Sequence, residues 1–373
     1  MIHNWSRQLP ENCELHFFRV TTDQVVLGLY CSDYLQELRV NTINGKIELG
    51  DRRKPELKGK VEMRKNFFIV SCYQGLGKIL WNRVERGLNT KVLCKMEICI
   101  IATMNKDREL EVKIVDKRNE ELDRIRIANV YDFHIGASDE LIIISTTGFT
   151  EESNTVTIID PATVSIVEHV PGFGGFVLSS SEHVFVYGYK EGGMITKVFT
   201  GDGEEVLETE GIPVLPPYNP FAYPLMHHGL FSTENIIIMD RNEIKVFDPY
   251  DFSLIYTALK PPLTRGVINV DINEPSMIVY GILTGKPYLI KYDHAGVVKW
   301  ISHVLRDFVY ALTSDKIIAM YIRSLGGETR IYRIAGNTLI HEESFAPHVF
   351  PLLVRGDTVI LTDSRIISSY SIE

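Results

Sequence analysis

The chain lacks the features that a membrane span, a secretory leader or a familiar catalytic centre would require. No run of about 18 apolar residues occurs in its 373 residues, so no membrane-spanning helix and no membrane insertion are expected. The opening stretch, MIHNWSRQLPENC, has neither a basic start nor an apolar run and does not read as a signal peptide. Cysteine is scarce. The five are Cys13, Cys31, Cys72, Cys94 and Cys99, all in the first hundred residues, with no CxxC spacing. An odd number of cysteines in or beside apolar strands reads as small buried hydrophobes kept reduced, which places the chain in the cytoplasm. Only four glutamines occur, against abundant Ile, Val and charged residues, a composition of thermophile type.

Motifs for chemistry are missing too. There is no HxH, HExxH or GxSxG, and Pro171-Gly-Phe-Gly-Gly-Phe precedes a strand rather than the helix that would cradle a phosphate. No catalytic residue, metal or cofactor is expected. Helical periodicity is nearly absent as well. What recurs is a fully apolar run of four to six residues after a polar turn, beginning at Val25, Phe67, Ile98, Leu141, Val184, Ile236, Met277, Ile317 and Val359. The interval is close to 42 residues except for one of 31 and one of 52. Each interval holds about four short strands, which is the rhythm of a β-propeller blade. Third strands often end in aspartate, at Asp116, Asp160, Asp248 and Asp293, where a side-chain oxygen can accept backbone N–H groups in a turn.

The three tryptophans, Trp5, Trp81 and Trp300, fall in one slot of this repeat. Two of them close Gly77-Lys-Ile-Leu-Trp and Gly296-Val-Val-Lys-Trp, and Trp5 closes Met1-Ile-His-Asn-Trp. Residues 1–8 therefore read as the fourth strand of the last repeat. The expectation is an all-β chain forming one closed β-propeller over 1–373, of eight or nine four-stranded blades, closed by the N-terminal strand. Residues 51–95 would be an irregular basic blade or insertion.

Asp293-x-x-Gly-Val-Val-x-Trp300 resembles the repeat of pyrroloquinoline-quinone-type propellers, and the overall period resembles WD40-like propellers. The chain departs from both. It has no vicinal cysteine pair of the quinoprotein kind, and no Gly-His or Trp-Asp signatures. The resemblance implies a fold, and a fold does not give a function.

Three function classes stay open. The first is a non-enzymatic interaction platform or scaffold subunit. Residues 51–95 carry twelve Lys/Arg and four acids, net +8, while the rest of the chain is net −17. That sector, with Arg52, Arg53, Lys54 and Lys58, could dock an acidic protein partner. The Pro-rich loop 211–224, with Tyr218, Phe221 and Tyr223, offers a second contact surface. The second class is a ligand-binding or enzymatic propeller using channel residues Arg19, His134, His228, Asp271, His348 and Arg355. The third is a nucleic-acid-associated protein using the basic sector, disfavoured by a pI near 5.7.

Overall fold

The computed structural model describes residues 1–372 apart from 21–22, 32–33, 56, 76, 139, 181, 215–234, 262, 273–274, 305–307, 323–327, 337, 346–347 and 364, and apart from the side chains of 14, 16, 17, 19 and 283. The described chain is β-strand throughout, with one short 3-10 turn at Glu151–Ser153 and no α-helix among the described residues. Among the described residues nine sheets follow one another along the sequence, eight of four strands and one of three. Residues 13–53 form the first, 57–85 the three-stranded second, 89–127 the third, 130–171 the fourth and 176–210 the fifth. Residues 212–259 form the sixth, 264–303 the seventh and 308–345 the eighth. The ninth takes 350–371 and completes itself with strand Ile2–Gln8, which pairs antiparallel with Ile366–Ser371.

Two compact units emerge. One holds 1–29, 37–51 and 213–373; the other holds 30–36 and 52–212. Inside each unit the core is the set of interfaces between successive sheets. Ile98, Ile100, Leu110, Val112 and Ile114 of the third sheet pack with Phe133, Ile142 and Ile144 of the fourth. Tyr280 and Leu289 of the seventh sheet pack with Phe308, Ile318 and Met320 of the eighth. The apolar runs are these strands: Ile98–Met104 is buried at every position. A strand covered on both faces cannot alternate, which is why it reads as a continuous apolar run.

A β-bulge recurs where the third strand of a sheet meets the fourth. It occurs between Ile114 and Val115, Ile158 and Ile159, Val198 and Phe199, Val246 and Phe247, Lys291 and Tyr292, and Ile331 and Tyr332. All three tryptophans sit at a bulge on the last strand of their sheet's ladder, which in the three-stranded sheet is the third. Trp300 faces Lys291, Trp81 faces Cys72 and Trp5 faces Ser369. In each case the residue two places earlier (Val298, Ile79 or His3) faces a tyrosine, Tyr292, Tyr73 or Tyr370. The shared slot read from the sequence is therefore a shared register. All three indoles are at most 8% exposed.

The second sheet is the short repeat, and the 31-residue interval shows why. By register, its strand Phe68–Gln74 is the partner of the tryptophan strand, yet it also carries the sheet's apolar run. One strand does the work of two. The four turn aspartates act as expected. Asp116 Oδ1 accepts the N–H of Arg118 and Glu120, Asp160 Oδ1 that of Ala162, Asp248 Oδ1 that of Tyr250 and Asp293 Oδ1 that of Val297.

The cysteine expectation is corrected. Cys94 and Cys99 are joined by a disulfide, and Cys72 is a buried free thiol. The reason lies in hairpin register. Strands Asn89–Lys95 and Ile98–Met104 are joined by the two residues Met96 and Glu97, so positions five apart face each other across the ladder. A search for CxxC passes over that spacing.

Candidate functional site

Strand Val130–Ala137 presents two sites. Its first pairing is irregular, with Val130 facing Gly148 and Asp132 facing Thr147. Tyr131 is the extra residue of that bulge, and a bulge re-aims the side chain it carries. Tyr131 is 60% exposed and meets Phe149, 69% exposed, edge to face at 5.8 Å. The Arg108 guanidinium lies over the Tyr131 ring at 5.6 Å and donates to the Tyr131 carbonyl. Arg108 is aimed there by a tight turn, in which Asn105 Oδ1 accepts the N–H of Asp107 and Glu109 and Arg108 itself takes a left-handed φ of 60°. Two apolar rings and a cation are thus held in fixed relation at the surface.

Further along the same strand stands His134, the channel residue expected from the sequence. Its Nδ1 lies 3.5 Å from Lys91 Nζ and its Nε2 3.4 Å from Asp132 Oδ2. An Nε2–H tautomer suits both neighbours: it donates to the carboxylate and leaves a lone pair toward the ammonium. Burial pushes the His134 pKa down, the Lys91 charge pushes it further, and Asp132 opposes them. Burial likewise lowers Lys91, against the pull of Asp132. Lys91 also donates to the Phe133 carbonyl. The His134 ring packs on Phe176 at 4.6 Å, and Phe176 stacks on Tyr187 at 5.4 Å. This is a cation, a neutral imidazole and a carboxylate beside an aromatic row whose Phe176 is half exposed. Such a set can hold a flat or anionic group.

The other channel candidates fare differently. Asp271 and Arg355 end strands Thr264–Asp271 and Phe350–Arg355 and are exposed, and His348 is an exposed turn residue with φ of 68°. The Arg19 side chain, His228, and Tyr218, Phe221 and Tyr223 of the Pro-rich loop lie outside the described residues.

In the basic sector Arg52, Arg53, Lys54 and Lys58 are all exposed. Arg52 lies over the Tyr34 ring at 4.6 Å, and its Nε donates to Gln36 Oε1 at 2.9 Å. Lys58 Nζ lies 4.1 Å from the Tyr30 ring centre. Part of the sector is already neutralised: Lys60 and Arg64 pair with Glu62, and Arg83 with Glu85. Sequence reading missed Arg108 and Phe149, and it took Lys91 as one of the basic residues of 51–95 and not as a neighbour of His134. The signal available for the first two was a turn arginine and an aromatic just beyond a strand end, on either side of a strand that opens on another aromatic.

No family model matches the chain, and no curated protein matches it. Solved structures do resemble it. One is the crystal structure of a eukaryotic initiation factor, at 12% identity and a TM-score of 0.46, covering 91% of this chain and 89% of that one. Another is the C-terminal WD40 domain of Sif2, at 8% identity and a TM-score of 0.40, covering 99% and 98%. A third is the dihydro-heme d1 dehydrogenase NirN, at 13% identity and a TM-score of 0.42, covering 92% and 78%. The resemblance to WD40 and propeller-type proteins is one of fold, and no activity is carried over from any of them.

Proposed function

We propose that the chain is a non-enzymatic interaction platform that docks a protein partner bearing acidic and apolar side chains. The observation that carries this reading is the Arg108–Tyr131–Phe149 group. Exposed aromatic and arginine side chains of fixed geometry are the residue types that dominate binding energy at protein interfaces. The exposed arginines and lysines at 52–58 give the same partner an electrostatic approach. On this reading the nine sheets are blades of one propeller closed by strand Ile2–Gln8, a rigid frame for the contact surface.

The test is capture of binding partners from the native host with the purified protein. Tyr131→Ser with Phe149→Ser should lose the captured partner. Arg52→Glu, Arg53→Glu and Lys54→Glu together should weaken capture at low salt, and His134→Ala should leave it intact. A captured set unchanged in the first two variants, with host function lost only on changing His134, would replace the platform by a second reading. That reading is a small-ligand site built on Lys91, Asp132, His134 and Phe176, and the observation in its favour is the placement of Lys91 and Asp132 on the two ring nitrogens of His134 beside an exposed ring.

A further inference from the structure

The second and third sheets meet at three sulfur atoms. Cys72 lies on strand Phe68–Gln74, Cys94 on Asn89–Lys95 and Cys99 on Ile98–Met104. Cys94 and Cys99 are bonded across their hairpin. The Cys72 thiol lies 3.5 Å from Cys99 Sγ, and the three sulfurs are all within 4.8 Å of one another. Around them pack Leu57, Val70, Trp81, Ile101 and Val115. Cys72 and Cys99 have no exposure, while Cys94 is half-buried. With two of the sulfurs bonded to each other, a single thiol is left as a donor, whereas a zinc site draws on three or four protein ligands. The chemistry this arrangement supports is between sulfurs.

We propose that Cys72, Cys94 and Cys99 form an intramolecular thiol–disulfide exchange site with Cys99 as the shared sulfur. The Cys72 thiolate attacks Cys99 Sγ once rotation of the Cys99 side chain brings the attacking and leaving sulfurs into line. The Cys72–Cys99 bond forms as the Cys94–Cys99 bond breaks. The electron pair leaves on Cys94, which takes up the proton that Cys72 gave up. One disulfide and one thiol stand on each side, so no oxidant or reductant is consumed.

The two isomers constrain the protein differently. Cys94–Cys99 joins two strands that are already paired and closes five residues of chain. Cys72–Cys99 would join one sheet to the next and close 27 residues. A cross-link over a longer loop removes more freedom from the unfolded chain. Exchange also trades a fully buried thiol for the half-buried one of Cys94, where a reagent can reach it. Burial pushes the Cys72 thiol up to about 11, so little thiolate exists at neutral pH and exchange is slow there.

Trypsin places each cysteine on its own peptide, residues 66–78, 92–95 and 96–106. The folded, non-reduced protein is held at pH 7 to 10, quenched in acid, alkylated with N-ethylmaleimide in denaturant and mapped by mass spectrometry without reduction. Two species are expected. In one, 92–95 is linked to 96–106 and 66–78 is alkylated. In the other, 66–78 is linked to 96–106 and 92–95 is alkylated. The second should appear roughly tenfold faster per pH unit, following the thiolate fraction. Cys72→Ala should abolish it. In Cys94→Ser, oxidised glutathione should drive Cys72 and Cys99 into a disulfide. The idea is overturned if 66–78 stays alkylated at every pH and Cys94→Ser fails to form that bond, or if all three peptides are alkylated without added reductant.

Discussion

At His134 three neighbours act on one proton. The apolar setting and the Lys91 ammonium both favour the neutral ring, and Asp132 favours the charged one; the first two prevail, and the folded-state pKa lies below the ordinary 6.5. Between the folded and the ordinary value the unfolded chain binds more protons, so stability contributed here is complete above about pH 6.5 and is lost as pH falls through the folded value. His134→Asn should therefore flatten the acid limb of a stability profile below pH 6.5 relative to the parent protein, with little change at pH 8. Equal slopes in both proteins would show that the ring is not coupled to folding. The sequence marked His134 as a polar residue on a first strand, and that much was readable. Its partner Lys91 was not, because it comes from the neighbouring sheet 43 residues earlier, and packing between sheets leaves no local pattern. Cys94 and Cys99 were readable in principle, since a two-residue hairpin fixes their pairing.

Between elements, the second and third sheets are tied by an ion network as well as by apolar packing. Lys113 Nζ lies 2.8 Å from Glu85 Oε2 and 3.1 Å from Glu111 Oε2, and Arg83 lies 2.9 Å from Glu85. Arg124 bridges Glu111 and Glu121. Burial would raise the Glu111 pKa, but the hydrogen bond and charge of Lys113, with Arg126 and Arg124, hold it below the usual carboxylate range. Glu85 and Lys113 are the buried members, at 5% and 8% exposure. Removing Glu85 leaves Lys113 and Arg83 with a missing counter-charge in a poorly hydrated place, which costs far more than losing an exposed pair. Glu85→Ala should lower stability by about 2–4 kcal/mol in denaturant unfolding. Glu62→Ala, which breaks the exposed pairs to Lys60 and Arg64, should stay within about 0.5 kcal/mol. Comparable losses in the two variants would mean that burial does not set the worth of these pairs. At this scale the strands were the most legible feature, because a strand covered on both faces must be apolar at every position. The network was not legible, because lysine and glutamate on alternating strands look the same whether they face solvent or each other.

On the scale of the molecule, the ninth sheet is assembled from the two ends of the described chain. Strand Ile2–Gln8 pairs with Ile366–Ser371, Asn4 donates to Ser369 and Ser371, and Ser6 and Ser368 share a hydrogen bond. The same strand reaches the first sheet. Trp5 packs on the turn at Gly45, and Arg7 donates to the carbonyls of Gly45 and Asn44. Gly45 permits that approach: its φ is 67°, and a Cβ there would stand 2.6 Å from the Trp5 ring. This pairing was legible because the tryptophan slot repeats; the contact at Gly45 was not, because only three-dimensional proximity reveals it. Deleting residues 2–8 removes a buried indole, a ladder of backbone hydrogen bonds and two links to the first sheet at once. Losing a buried tryptophan alone costs about 3–5 kcal/mol. At roughly 2–4 °C per kcal/mol in a domain of this order of size, the melting temperature should fall by about 10 °C or more. Gly45→Ala tests the junction without shortening the chain. It meets both the strained φ and the ring, and should cost about 1–3 kcal/mol. Gly77 also has a positive φ but has open space around its missing Cβ, so Gly77→Ala should cost less. If the deletion leaves the melting temperature unchanged, strand Ile2–Gln8 is an ornament on a sheet stable with three strands. A large loss on deletion with no loss at Gly45→Ala would place the stabilisation in the β-ladder and not in the contact with the first sheet.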